Sequence, residues 1–202
     1  MAASGSASSP ASGSSPSGPP SSGPAPRELT ASQAPLPAGT YTLAAFRPSV
    51  TLDLDGAWTS VNRYPDFFDV QVDVGSPDVI VVQVARPAGT VGDATVTTPT
   101  DPAAAVDVLR SNPGLTVVEE SESRMGGLTG RQVTIENSTG RFVEVLGVSP
   151  GTLSIDTGRR LWIAWFATPN GLVVIMVGGS VATWDRALGL AEPVLESIRF
   201  GG

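Results

Sequence analysis

Cysteine, histidine and lysine are all absent from this sequence, and every one of its twelve basic residues is arginine. A GC-rich coding bias accounts for such a skew, and the chemical consequences hold whatever its origin. Without histidine or cysteine there is no ordinary zinc, haem, copper or iron–sulfur site. Without lysine there is no Schiff base, no phosphate-binding Walker lysine and no Ser–Lys dyad. No disulfide can form, so cysteine usage gives no information on the redox compartment. No run of about 18 apolar residues occurs that would cross a membrane as a helix. The net charge of −7 speaks against nucleic acid or an anionic membrane surface as the main partner, because both reward clustered cations.

What is present first is a tail. From Ala2 to Pro26 the chain uses only Ala, Ser, Gly and Pro, and Arg27 and Glu28 are the only charged residues before Thr40. Such a segment has little apolar surface to offset the entropy of ordering its backbone. Residues 1–37 are therefore expected to be a disordered linker, and residues 38–202 a single domain large enough to enclose a core. Met1 is followed by small polar residues, without the basic and apolar regions of a signal peptide. A tail of this composition is expected directly after an export signal or a lipidated cysteine, where a domain must stand clear of a surface. An apolar signal segment upstream of Ala2 is accordingly expected, with an extracytoplasmic, lipid-anchored location and membrane contact only through that anchor.

Alternation marks the first strands. Val50, Leu52 and Leu54 alternate with Thr51 and Asp53, and Val70, Val72 and Val74 with Gln71 and Asp73. The nearly unbroken apolar run Val79 to Val84 predicts a strand covered on both faces. Arg86 to Thr100 reads as a polar loop, longer than most connections. Asp101-Pro102 opens a helix with an N-cap and a first-turn proline, and Asn112-Pro113-Gly114 ends it. Thr116 to Glu120, Arg131 to Glu136 and Phe142 to Val148 read as strands. Leu161 to Ala167 and Leu172 to Val177 form a hairpin through Pro169-Asn170-Gly171, apolar on both sides and so central in its sheet. Ser180 is expected to cap a terminal helix whose buried stripe is Trp184, Leu188, Ala191, Leu195 and Ile198, bent at Pro193. This order of elements predicts an α+β fold with a mainly antiparallel β-sheet and helices packed on its faces.

From Leu36 to Phe200 the pattern resembles the PsbP/Mog1-like domain of exported actinobacterial and Chloroflexi lipoproteins, a group that includes LpqN-like proteins. The resemblance is carried by Ala38-Gly39-Thr40-Tyr41, Phe46-Arg47-Pro48 with Thr51, and the turn before Trp58. Asn112-Pro113-Gly114-Leu115, Gly126-Gly127-Leu128, Gly130-Arg131-Gln132-Val133 and the ending Ser197-Ile198-Arg199-Phe200 complete it. Relatives usually show Pro-Asp-Gly-Trp where this chain has Asp55-Gly56-Ala57-Trp58. The resemblance implies a sheet with helices on its faces and an N-terminal lipid attachment. It implies no common reaction.

Five segments carry residue types that could do chemistry. Gly147-Val148-Ser149-Pro150-Gly151 matches a hydrolase nucleophile elbow, but no His or Lys exists to take the serine proton, and Pro150 removes an oxyanion-hole amide. It reads as a strand-ending turn. Asp53-Leu54-Asp55-Gly56 resembles a fragment of a calcium loop without the remaining oxygen ligands. Arg159-Arg160 has the chemistry to hold a carboxylate or phosphate. Asn137-Ser138-Thr139 fits a glycosylation acceptor and also reads as a turn. Tyr64, Phe67 and Phe68, among Pro65, Asp66 and Asp69, contain a candidate exposed aromatic patch. No catalytic, cofactor-binding or metal residue is assigned, no cofactor is expected, and the ligand-binding residues are left unknown. The expected function is a non-catalytic cell-envelope binding or accessory module displayed on a flexible stalk. Its partner would be an envelope protein or a small ligand. The alternatives are a carboxylate-based envelope hydrolase or transferase, or a structural spacer. Carboxylates facing each other across a deep cleft would favour the enzyme, and an apolar-rimmed face would favour binding.

Overall fold

The structure, a computed structural model, describes residues 24–32, 34–92, 96–149 and 151–201. Residues 1–23 of the expected linker lie outside the described residues. In chain order the strands are β1 (Arg27–Glu28), β2 (Gly39–Leu43), β3 (Val50–Leu54), β4 (Arg63–Tyr64), β5 (Phe67–Val72), β6 (Ile80–Ala85), β7 (Gly89–Val91) and β8 (Val96–Thr97). Helix α1 (Pro102–Arg110) is next, then β9 (Leu115–Met125), β10 (Leu128–Asn137), β11 (Val143–Val148), β12 (Gly151–Ile155), β13 (Arg159–Thr168) and β14 (Gly171–Ser180). Helix α2 (Trp184–Ser197) and β15 (Arg199–Phe200) end the chain. The fold is α+β, and all its strand pairings are antiparallel except β1 with β2.

A central sheet runs in the order β4-β5-β6-β14-β13-β10-β9. The β13–β14 hairpin occupies its middle, as its two-sided apolar character requires. Phe166, Val173, Ile175 and Val177 point to one face, while Ile163, Trp165, Val174 and Met176 point to the other, and all are fully buried. Each such side chain contributes on the order of 1.5–3 kcal/mol by leaving water. The first face meets α2 and the small sheet β1-β2-β3-β15. The second meets α1 and the small sheet β12-β11-β7-β8.

Helix α1 starts as its sequence dictates: the Asp101 side chain accepts from the Ala104 amide at 2.9 Å, and Ala105, Val106 and Leu109 are buried. Helix α2 departs from expectation. Ser180 caps a short 3-10 turn, Val181–Thr183, and the α-helix begins only at Trp184, then runs through Pro193. Its buried stripe is Trp184, Ala187, Ala191 and Val194, so Leu188 and Leu195 are only half-buried. The small residues are needed because α2 lies very close to the sheet. A Cβ on Gly179 would sit 2.8 Å from that of Ala187.

Other expectations are also revised. The folded region begins before residue 38: Arg27 and Glu28 pair with Tyr41 and Thr42, Leu29 is fully buried, and the Leu36 amide donates to the Trp58 carbonyl at 2.7 Å. The expected loop from Arg86 to Thr100 contains β7 and β8, which extend a second small sheet. Val74 is 53% exposed, because Asp73 adopts a positive φ of 58° and turns the chain before it. Strand β9 runs five residues past Glu120, where acidic and serine residues had masked its continuation.

Candidate functional site

The coverings of the two faces are offset. On the α2 side the buried core extends over β5, β6, β14 and β13 and stops there. Beyond it β10 and β9 present polar residues: Thr134 pairs with Glu119 on one side and Trp162 on the other, and Gln132 pairs with Ser121 and Ala164. An open groove of about 600 Å³ results, floored by Gln132, Thr134 and Trp162. Leu188, Leu195 and the edge of Trp184 form its helical wall.

At one end of the groove Arg160 is held in place twice. Its Nε donates to Glu136 at 2.6 Å, and its guanidinium lies 5.5 Å from the centre of the Trp184 ring. Arg160 thus fixes the indole that walls the groove, and its own charge is already matched. Arg159 faces elsewhere. It donates to the carbonyls of Pro77 and Val79 at 2.8 and 2.7 Å, and burial holds its pKa below the ordinary arginine value despite the nearby Asp156 and Asp78. The Arg159-Arg160 pair is therefore a pair of structural ties.

On the other face of the β9–β10 hairpin, Glu120 accepts from both Arg131 and Arg110. The Arg131 hydrogen bond holds its carboxyl below the usual glutamate range, so Glu120 stays ionised. That is the opposite of what a general acid needs.

The remaining sequence candidates are structural. Ser149 is exposed in the turn joining β11 and β12, and Pro150 lies outside the described residues. Asp53 accepts from Thr40 at 2.6 Å, and Asp55 caps its own turn by accepting from the Ala57 amide at 3.0 Å. Among the described residues no group of three or more metal-ligating side chains is found. Asn137 is buried, donating to the carbonyls of Arg141 and Ile155 and accepting from the Thr139 amide and hydroxyl, so it staples a loop. Of the aromatic cluster, Phe68 is fully buried and Phe67 nearly so. Tyr64 is 44% exposed and stacks on Phe67 with ring centres 6.2 Å apart.

Sequence reasoning missed the groove, because it placed Leu188 and Leu195 in the buried stripe and treated Trp162 as central core. A signal was available in β10. Its alternate residues Gln132 and Thr134 are polar on the face where neighbouring β13 and β14 are apolar, which marks where the cover ends.

No family model matches the chain, and no curated protein matches its sequence. Among solved structures the chain is similar to the cyanobacterial PsbP protein CyanoP from Synechocystis sp. PCC 6803. The TM-score is 0.47 at 10% identity, over 85% of this chain and 98% of that one. It is similar to LpqN, involved in cell envelope biogenesis of Mycobacterium tuberculosis, with a TM-score of 0.43 at 11% identity over 82% of this chain and 86% of that one. A protein from Bacteroides thetaiotaomicron gives a TM-score of 0.36 at 9% identity, over 76% of this chain and 45% of that one. The first two bear the names of the groups whose turns and strand ends this sequence resembles.

Proposed function

We propose that this protein is a non-catalytic accessory module of the cell envelope, carried on its N-terminal stalk, that binds a partner in the groove between α2 and the β9–β10 hairpin. The observation that carries this reading is the open corner of the sheet. Half-buried Trp162, Leu188 and Leu195 meet a polar rim there, while the adjoining sheet surface is covered. Recognition surfaces combine apolar anchors with a polar border in this way. The groove holds no ordinary nucleophile–base set: its hydroxyl is Thr134, and the chain has no His, Lys or Cys. The carboxylates Glu119, Asp185 and Glu192 are exposed around an open groove and not set across a deep cleft. An open groove with apolar anchors inside a polar border supports the binding reading over the enzyme, and its existence disfavours a pure spacer.

The location rests on composition. Were a tail of 25 or so residues limited to Ala, Ser, Gly and Pro a flexible coil, it would reach about 30 Å, enough to hold a domain clear of lipid headgroups. Recovery of the native protein in membrane or envelope fractions supports it, and recovery wholly in the cytosol contradicts it. For the groove, the purified protein and its Leu188→Arg variant are used to capture partners from envelope extract. A partner retained by the first and lost by the second, with unchanged circular dichroism, is the expected outcome. Equal capture by both defeats the assignment of the groove.

A further inference from the structure

Among the described residues strand β9 is paired on one side only, with β10, and forms the end of the central sheet. The strand at the opposite end, β4, has two residues; β9 has eleven. At about 3.3 Å per residue it presents an edge of roughly 36 Å. Edges of this length invite further strands, and proteins normally blunt them with bulges or charge. Here a bulge is present where Glu119 faces Thr134 and Val117 faces Ile135, leaving Val118 unpaired and 48% exposed. Beyond it Glu119 to Met125 continues in regular register with β10.

The charge on that regular part is one-sided. It holds Glu119, Glu120, Glu122 and a single cation, Arg124. Two copies of β9 laid antiparallel about Ser121 would set Glu120 against Glu122 twice; about Glu122 that residue would meet itself while Glu120 met Arg124. Like charges directly opposite are destabilising and opposite charges stabilising, so a second copy is disfavoured in the first register, and a segment richer in cations than β9 itself matches this edge better. Glu120 is already matched by Arg110 and Arg131. Glu119 and Glu122 are exposed and make no ion pair among the described residues. The same holds for Asp185 and Glu192 on the helical side of the groove. A strand added beside β9 would send alternate side chains over the groove face and the rest past Glu122.

We propose that β9 accepts an extended, arginine- or lysine-bearing segment of a partner protein as an added strand of the central sheet, with apolar and basic side chains reaching the groove. Main-chain hydrogen bonds would supply affinity, and unmatched carboxylates on β9 and α2 would select the basic sequence. The assignment rests on the binding-module reading above and specifies its partner.

The test uses the full chain and a synthetic peptide of roughly nine residues repeating Lys-Lys-Val-Val, which places lysine and valine on both faces of an added strand and is long enough to cover the regular part of β9. Three variants accompany it: lysine replaced by glutamate, and N-methylation of alternate amides along one edge or the other. Binding is followed by amide shifts in 15N-labelled protein and by fluorescence anisotropy. The expected result is shifts concentrated in residues 119–125, with affinity weakened roughly tenfold or more by glutamate. One of the two N-methylated peptides should fail and the other bind. The Glu119→Lys/Glu122→Lys protein should reverse the preference for charge. Equal binding by both N-methylated peptides, or shifts confined to Gln132 and Trp162, overturns strand addition. If no lysine–valine peptide binds while groove-dependent capture from envelope extract persists, the strand proposal fails and the binding reading stands. If both are lost, both fail.

Discussion

On the α2 side the buried core extends over β5, β6, β14 and β13, whereas on the α1 side it is centred on β14, β13 and β10, with Phe67 of β5 and Ala85 of β6 at its margin and β9 only partly covered. Each face therefore has an open corner, and the two corners lie at opposite ends of the sheet. The open corner on the α1 side, above β6, is partly filled by the neighbouring strand β12 and holds a pocket of about 170 Å³. The corner on the α2 side has no such filler and holds the larger groove. Offsetting the covers lets a domain of this size keep a continuous core through β13 and β14 while leaving one apolar-walled surface available to a partner.

Two tryptophans on one strand make the contrast measurable. Trp165 on β13 faces the covered part of the α1 side, is fully buried, and its indole N–H has no hydrogen-bond partner among the described residues. Trp162, three residues earlier on the opposite face, is half-buried at the groove. Trp165→Ala is predicted to cost about 3–5 kcal/mol of stability in urea unfolding. Trp162→Ala should cost less than about 2 kcal/mol, since much of its surface is already in water. Equal losses would mean that the groove is closed in solution.

The N-terminal approach supplies the next effect. Leu29→Ala is predicted to lose about 2–4 kcal/mol, because the side chain is fully buried in the α2-side core. A loss below about 0.5 kcal/mol would place the start of the folded region after this residue. The smallest effect concerns Glu120. Its carboxyl is held below the usual glutamate range in the folded state, so it contributes stability above that range and loses it as pH falls through the lowered value. Glu120→Gln should therefore lower the melting temperature slightly at neutral pH and leave it unchanged in strong acid. A loss that is independent of pH would mean the arginine contacts do not matter.

Where apolar periodicity was unambiguous, the sequence was a good guide. The β13–β14 hairpin, the Asp101-Pro102 start of α1 and the alternation in β3 follow directly from residue order. The start of the fold was not legible, because Leu29 and Leu36 are isolated apolar residues in a polar stretch, and only docking against β2 and Trp58 reveals their burial. The strands within residues 86–100 were hidden because β7 is held by long-range pairing with β11, and β8 is two residues paired with β7. The groove was hidden for a different reason. Leu188 and Leu195 fit a helical stripe as well as Ala187 and Val194 do, and only the close approach at Gly179 selects the smaller residues for the sheet. Motifs with functional overtones, Asn137-Ser138-Thr139 and Arg159-Arg160, were legible as residue types but not as the loop staple and structural ties they form.

The central claim is that the open corner beside α2, and not the one above β6, is where this protein meets its partner. Photo-crosslinking side chains placed at Gln132 in the first corner and at Gln83 in the second, in cells expressing the full chain, compare them directly. The account predicts a discrete crosslinked product from position 132 and none from position 83. A product from position 83 alone, or from neither position, would contradict it.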